Sequence, residues 1–216
     1  MIDRPPTVFI VDDDASFLKS IERLLRSTGF VTQCYSSAVD FIAQQAPDRV
    51  GCVLADLRMP DMDGIALQAH LARSGNPLPV VFLTGHGDIP TSVEAMRQGA
   101  EDFLVKTAPK EAIIAAVERA LARGAKDRVF RAHRRALHAR LDTLTQREQQ
   151  VLSHVMNGSR NKPIAEVLGI DERSVKRHRS NLMRKLEVTS VAELAQLVFE
   201  AGARDSDCCG TEHDHE

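Results

Sequence analysis

Five side chains of this chain are suited to handling phosphate: the carboxylates of Asp12, Asp13 and Asp56, the hydroxyl of Thr84 and the ammonium of Lys106. Each follows directly on a short apolar run or stands at its end, in VFIVDD, CVLAD, VVFLT and DFLVK. Carboxylates brought together repel one another and resist ionisation unless a cation joins them. Hard oxygen donors on a partly open site suit Mg²⁺, which keeps several waters and accepts phosphate oxygens beside carboxylates. That chemistry is metal-assisted phosphate handling, with one carboxylate free to act as nucleophile and form an aspartyl phosphate.

These residues converge only if the apolar runs are neighbouring parallel strands. From Thr7 to about Arg123, such runs alternate with segments of helical period, the pattern of a parallel sheet with crossover helices. Five repeats are predicted. The strands are Val8 to Val11, Val31 to Tyr35, Cys52 to Ala55, Val80 to Leu83 and Asp102 to Val105, with helices at Ser16 to Ser27, Ala38 to Gln44, Ile65 to Arg73, Thr91 to Gln98 and Lys110 to Ala122. Gly29 and Gly99 stand where left-handed helix ends are wanted, and Pro90 stands near a helix start. The expected fold is a doubly wound, flavodoxin-like five-stranded sheet over residues 1–122, and such sheets bind ligands at the carboxyl ends of their strands.

After Ala122 the pattern changes. Residues 123–140 carry Arg123, Lys126, Arg128, Arg131, Arg134, Arg135 and Arg140 against one acid, Asp127, and are read as a basic, partly helical linker extending the fifth helix. Residues 141–203 announce four short helices by their caps: capping boxes at Thr145 with Glu148 and at Ser190 with Glu193, Asn161 ahead of Pro163, and Asp171 ahead of a basic helix. On that helix, ERSVKRHRSNLMRKL, Val175, Leu182 and Leu186 form an apolar stripe, while Arg173, Arg177, Ser180 and Arg184 lie on another face. A short helix from Lys162 to Leu168 and a turn at Gly169 and Ile170 precede it, the layout of a helix-turn-helix. Residues 204–216 are polar and read as disordered.

VFIVDDD, VLADLRMPDMDG, FLTGHGD and EDFLVK resemble the signature segments of response-regulator receiver domains, in the right order on the right elements. LTQREQQVLSHVMNGSRNKPIAEVLGIDERSVKRHRSNLMRKLEVTS resembles the LuxR-type DNA-binding domain of NarL/FixJ response regulators, and TGHGD with LRMPDM points to the FixJ branch. The resemblance implies a two-component transcription regulator in which Asp56 accepts a phosphoryl group from a sensor histidine kinase. It implies that Asp13, Asp56 and the Arg58 carbonyl hold Mg²⁺, with Asp12 acting through water. Thr84 and Lys106 would contact phosphoryl oxygens, and Phe103 would change rotamer with Thr84. In the basic helix Lys176, Arg177 and Ser180 fall at groove-facing positions, and Lys162, Arg179 and Arg184 at phosphate-facing ones. The expected partners are double-stranded DNA, RNA polymerase and, on phosphorylation, a second copy of the chain.

Taken singly these residues have plainer readings: Thr84 ends a strand, Lys106 is a surface lysine, and His178 packs beside the apolar stripe. Asp14 is read as a helix cap alone. One departure from the receiver pattern is Thr107, where those domains follow the lysine with proline through a cis peptide. A cis bond to a non-proline residue costs about 2.5–4 kcal/mol, which leaves a trans bond or a strained cis one. Three other functions compete with this one. Asp61, Met62, Asp63 and Gly64 spell the DxDG of haloacid-dehalogenase-type phosphatases, but Pro60 ahead of them argues for a loop. A regulator that controls DNA without phosphate is the second, and the third is a soft-metal site on Cys208, Cys209, His213 and His215.

Composition bounds the rest. With 43% hydrophobic and 27% charged residues, 216 residues suit two small cores. No segment reads as a signal peptide or membrane span, so the cytoplasm is expected. Cys34 and Cys52 read as core. The formal charge of -2 conceals acids clustered early and Arg/Lys clustered late, which points to a polyanion partner for the second half.

Overall fold

In β1 (Thr7–Val11), β3 (Gly51–Asp56) and β4 (Val80–Thr84) almost every residue is buried, because successive side chains enter cores on opposite faces of one sheet. Phe9, Val11, Val53, Ala55, Val80 and Phe82 point to one face. Val8, Ile10, Cys52, Leu54, Val81 and Leu83 point to the other. The computed structural model describes residues 5–44, 49–74, 77–85 and 89–202, and divides into two units, Met1–Arg128 and Val129–Glu216.

The first unit completes its sheet with β2 (Val31–Tyr35) and β5 (Asp102–Val105), all strands parallel in the order β2-β1-β3-β4-β5. α1 (Ala15–Ser27) covers one face with the start of α5 (Lys110–Leu141), through Leu18, Ile21, Leu25, Ile113, Ala116 and Val117. α2 (Ala38–Ala43), α3 (Gly64–Arg73) and α4 (Ile89–Arg97) lie on the other, through Phe41, Leu67, Leu71 and Ala95. Connections leave β1 for β2 on one side and reach β3 on the other, so the crevice of the reversal opens between the carboxyl ends of β1 and β3. Gly51 starts β3 at φ 152°, where a Cβ would lie 1.8 Å from the Thr7 carbonyl oxygen; the sheet closes this tightly only around glycine. Buried Gln68 ties the end of α4 to α3, donating to the Ala95 and Gln98 carbonyls at 3.3 and 3.0 Å.

In the second unit, α6 (Gln146–Met156), α7 (Asn161–Leu168), α8 (Glu172–Lys185) and α9 (Val191–Gly202) enclose a core of Val151, Val155, Ile164, Val175, Leu182, Leu186 and Leu194. The linker over 123–140 extends the fifth helix as expected, but it is helical throughout and not in part: α5 continues unbroken to Leu141. The stretch is rich in alanine and arginine and free of proline, all compatible with helix. Leu137 is buried in this core, Arg134 donates to the Ala201 carbonyl at 3.1 Å, and Arg140 pairs with Glu187 at 2.8 Å.

Caps account for most boundaries. Asp14 accepts from Ser16 N and Phe17 N at 2.8 and 3.2 Å, and Asp171 accepts from Ser174 N at 2.8 Å. Two assignments need correction. Arg160, not Asn161, stands at the N-cap of α7 and makes no side-chain cap hydrogen bond. The third helical residue is Pro163, which has no N–H to be capped, and the Asn161 oxygen is taken by Arg179 at 2.9 Å. At α9 the Ser190 hydroxyl accepts from Glu193 N at 3.1 Å, but the Glu193 carboxylate turns to Thr189 N at 2.7 Å, one residue before the expected return partner. α4 begins two residues earlier than periodicity placed it, so Pro90 is the second helical residue. Residues 204–216, with Cys208, Cys209, His213 and His215, lie outside the described residues. Among the described residues no helix is long and apolar enough to cross a membrane.

Glu148 does more than the capping box required of it. Its carboxylate accepts from Thr145 N at 2.9 Å and from Lys185 Nζ at 2.7 Å, while Lys185 also donates to the Thr143 carbonyl at 2.9 Å. Burial opposes the charge, yet the bonds from Lys185 and Thr145 outweigh it and hold Glu148 below the ordinary value of 4.5. A carboxyl depressed in this way contributes stability above its unfolded value and loses it as pH falls through the folded one. Glu148→Gln is therefore expected to cost the second unit about 1–2 kcal/mol at pH 7 and to flatten the loss of stability on acidification below pH 4.5. Urea titrations of the full chain at several pH values, followed by the amide signals of α6, check both.

Candidate functional site

The carboxyl ends of β1, β3 and β5 bring the acids and the lysine together. Asp12 follows β1 and is 1% exposed, Asp56 ends β3 at 8%, and Asp13 is open to solvent. One carboxylate oxygen from each of these three lies within 4.8 Å of the others. Lys106 reaches back from β5, and Nζ stands 2.7 Å from Asp12 Oδ2 and 2.8 Å from Asp56 Oδ2. The approach to Asp56 is a directed hydrogen bond. That to Asp12 Oδ2 is a contact of charges only, which leaves this buried oxygen without a hydrogen bond. Backbone donors fix the remaining oxygens: Asp14 N to Asp12 Oδ1 at 2.9 Å and Arg58 N to Asp56 Oδ1 at 3.3 Å.

The electrostatics follow from this crowding. Burial pushes the Asp12 carboxyl above its ordinary range; Lys106 and the Asp14 amide pull it back, and the Asp56 charge adds to the push. Burial alone would lower Lys106, but its contacts with Asp12 and Asp56 prevail and raise it. The site thus holds an ammonium among carboxylates, with one buried oxygen lacking a hydrogen bond. That donor set fits a small, hard divalent cation.

Neighbouring residues complete the frame. Thr84 is 2% exposed at the end of β4, and its carbonyl accepts from Lys106 N at 2.7 Å, which joins the two strand ends. The Lys106–Thr107 bond is trans, since the described residues contain no cis peptide. Phe103 is half-buried on β5, its ring centroid 6.4 Å from that of Phe82. Asp61 sits in a loop at φ 63°, and Asp63 caps α3 by accepting from Ala66 N at 2.7 Å, so neither acid is delivered by a strand as the DxDG reading required. Sequence reasoning passed over two residues here. A Cβ on Gly64 would lie 2.6 Å from the Asp56 carbonyl oxygen and 2.7 Å from Phe82 Cε1, so α3 begins against the back of Asp56 only with glycine. The signal was in DMDG, which closes the receiver-like segment VLADLRMPDMDG and also spells the competing motif, but neither reading gave Gly64 a role. Phe17 faces Lys106, and no sequence pattern marked it.

The second site is the outer face of α8. Val175 and Leu182 are buried, and Arg173, Lys176, Arg177, Ser180 and Arg184 are exposed at spacings of three and four, forming one basic face. Lys162 is exposed on α7. Arg179 is half-buried and spends Nη1 on Asn161, tying α7 to α8. His178 is half-buried beside the apolar stripe. Gly169, at φ 64°, makes the left-handed turn between the helices.

Both sites lie within stretches that match known families. Residues 8–118 match the family described as response regulator receiver domain, and residues 142–198 match bacterial regulatory proteins of the luxR family. The chain is 38% identical over 197 residues to the response regulator protein TodT of Pseudomonas putida, covering 91% of this chain and 87% of that one. It is 40% identical over 196 residues to the transcriptional regulatory protein FixJ of Rhizobium meliloti, covering 91% and 96%. Among solved structures it is similar to the response regulator StyR, with TM-score 0.75, 45% identity and coverage of 90% and 98%. Full-length FixJ from B. japonicum gives 0.54, 33%, 93% and 98%.

Proposed function

This chain belongs to the two-component response regulators that join a receiver domain to a luxR-type DNA-binding domain, and from that premise we propose that Asp56 is its phosphoacceptor and α8 its DNA-reading helix. It is a transcription regulator, not an enzyme. The observation that carries the first half is the gathering of Asp12, Asp13 and Asp56 around the Lys106 ammonium at the mouth of the sheet.

Asp13, Asp56 and the Arg58 carbonyl would hold Mg²⁺, with Asp12 reached through water; the ion supplies charge neutralisation for the incoming phosphoryl group. Asp56 attacks phosphorus, and the donor leaves with its bond pair. Lys106 and Thr84 then face a group carrying about -1.5 to -2 charges. Thr84 can meet it only by moving toward it, which leaves space for Phe103 to turn inward and shifts the face formed by α4 and β5. That face pairs with a second copy of the chain, and the dimer sets two α8 helices on half-sites about one DNA turn apart. Lys176, Arg177 and Ser180 enter the groove; Lys162, Arg179 and Arg184 hold phosphates, Arg179 with the guanidinium donors left free by Asn161. The working partners are a sensor histidine kinase, promoter DNA and RNA polymerase, and the place is the cytoplasm.

Asp56→Asn is expected to abolish Mg²⁺-dependent labelling by acetyl phosphate, read as mass change of the intact chain; full labelling would remove Asp56 from the role. For DNA, Arg177→Ala is expected to lose about 1–3 kcal/mol and relax preference at one base pair. Arg184→Ala is expected to weaken all sequences alike and lower the salt slope by about one. Fluorescence anisotropy over a salt series with matched and mismatched duplexes separates them, and equal slopes with intact specificity in both variants would contradict the placement of α8.

A further inference from the structure

Lys106 is held from three sides, and only two of them are carboxylates. Its Nζ lies 4.5 Å from the centroid of the Phe17 ring as well as 2.7 and 2.8 Å from Asp12 and Asp56. An ammonium has three donors and no acceptor. Two face oxygens, and the electron-rich face of a benzene ring attracts the cation on the remaining side. Phe17 is itself well fixed. It stands in the first turn of α1, its N–H bonded to the capping Asp14, and its partly buried ring packs against the core beneath α1 and α5. The ring is therefore tied to the same end of β1 that carries Asp12 and Asp13.

We propose that Phe17 is a positioning residue for Lys106, its ring holding the ammonium on the α1 side of the acidic site and so setting where that cation meets the phosphoryl oxygens on Asp56. This rests on the reading of Asp56 as phosphoacceptor. Phosphoryl transfer changes the Asp56 side of the ammonium's surroundings. A bond forms between an Asp56 carboxylate oxygen and phosphorus, the donor's bond to phosphorus breaks, and Lys106 must pass from the Asp56 carboxylate to the new oxygens. The ring face keeps its charge distribution throughout and is the fixed point about which the ammonium moves. An aliphatic side chain fills the same space without attracting the cation.

The full chain tests this with Phe17→Leu and Phe17→Met against Phe17→Tyr, which keeps an aromatic face. Two quantities are read: the NMR shift of the Lys106 ε-methylene protons, which a ring face moves upfield, and the rate of Mg²⁺-dependent labelling by acetyl phosphate. Phe17→Tyr is expected to retain the upfield shift and label within about twofold of the wild type. The aliphatic variants are expected to lose the shift and label about two- to fivefold more slowly. Wild-type shift and rate in either folded aliphatic variant would overturn the proposal, as would a loss in Phe17→Tyr equal to theirs, which marks mere packing. A wild-type chain that does not label at all contradicts the phosphoacceptor reading instead, and the ε-methylene shift still reports the contact.

Discussion

The pairing of the Lys106 ammonium with Asp12 and Asp56 is the interaction on which the first unit's site depends. Two buried carboxylates and a third beside them are a costly assembly in a sheet whose other inward residues are almost all apolar. The cation that compensates them arrives from β5, two strands away from the acid that ends β3. It reaches them because the five strands are parallel and end together, which follows from helices on both faces and the reversal of strand order between β1 and β3. The arrangement is bistable in kind. Lys106 serves two carboxylates while Asp56 is unmodified, and under the proposed phosphorylation it would be drawn to the new oxygens.

The sheet was the most legible part of the chain, for a physical reason. Strands such as FIV, CVLA and VVFL are apolar on both faces, a signal that short surface strands lack. The acids, Thr84 and Lys106 could be ordered because each stood at the end of such a run. What stayed hidden depends on contacts distant in sequence. Phe17 faces Lys106 across 89 positions of chain, Glu148 meets Lys185, and Arg179 takes the Asn161 oxygen that local rules had assigned to a cap. Gly64 was visible as a residue but not as a necessity, since only the approach of the Asp56 backbone excludes a side chain there. The extension of α5 through 123–140 was legible only as partly helical because a single buried residue, Leu137, does not make an apolar stripe.

The second unit solves a different problem with similar means. α8 must show a basic face outward and still pack, so Val175 and Leu182 anchor it while polar ties at its middle and its end fix its placement. Arg179 to Asn161 holds its middle to α7, and Lys185 to Glu148 holds its end to α6. Such a helix presents its exposed arginines from a rigid frame, which a base-reading element requires. Affinity from one copy of such a helix is limited, and the dimer proposed above would raise it without any new base contact.

On the proposed reading, a phosphoryl group at Asp56 controls DNA binding by the second unit. That control is tested most directly by measuring the mass of the full chain in solution and its affinity for promoter DNA, with and without beryllium trifluoride and Mg²⁺ as a phosphoryl mimic. The account predicts a shift from monomer to dimer and tighter DNA binding when the mimic is present. Equal mass and equal affinity in both states would contradict it.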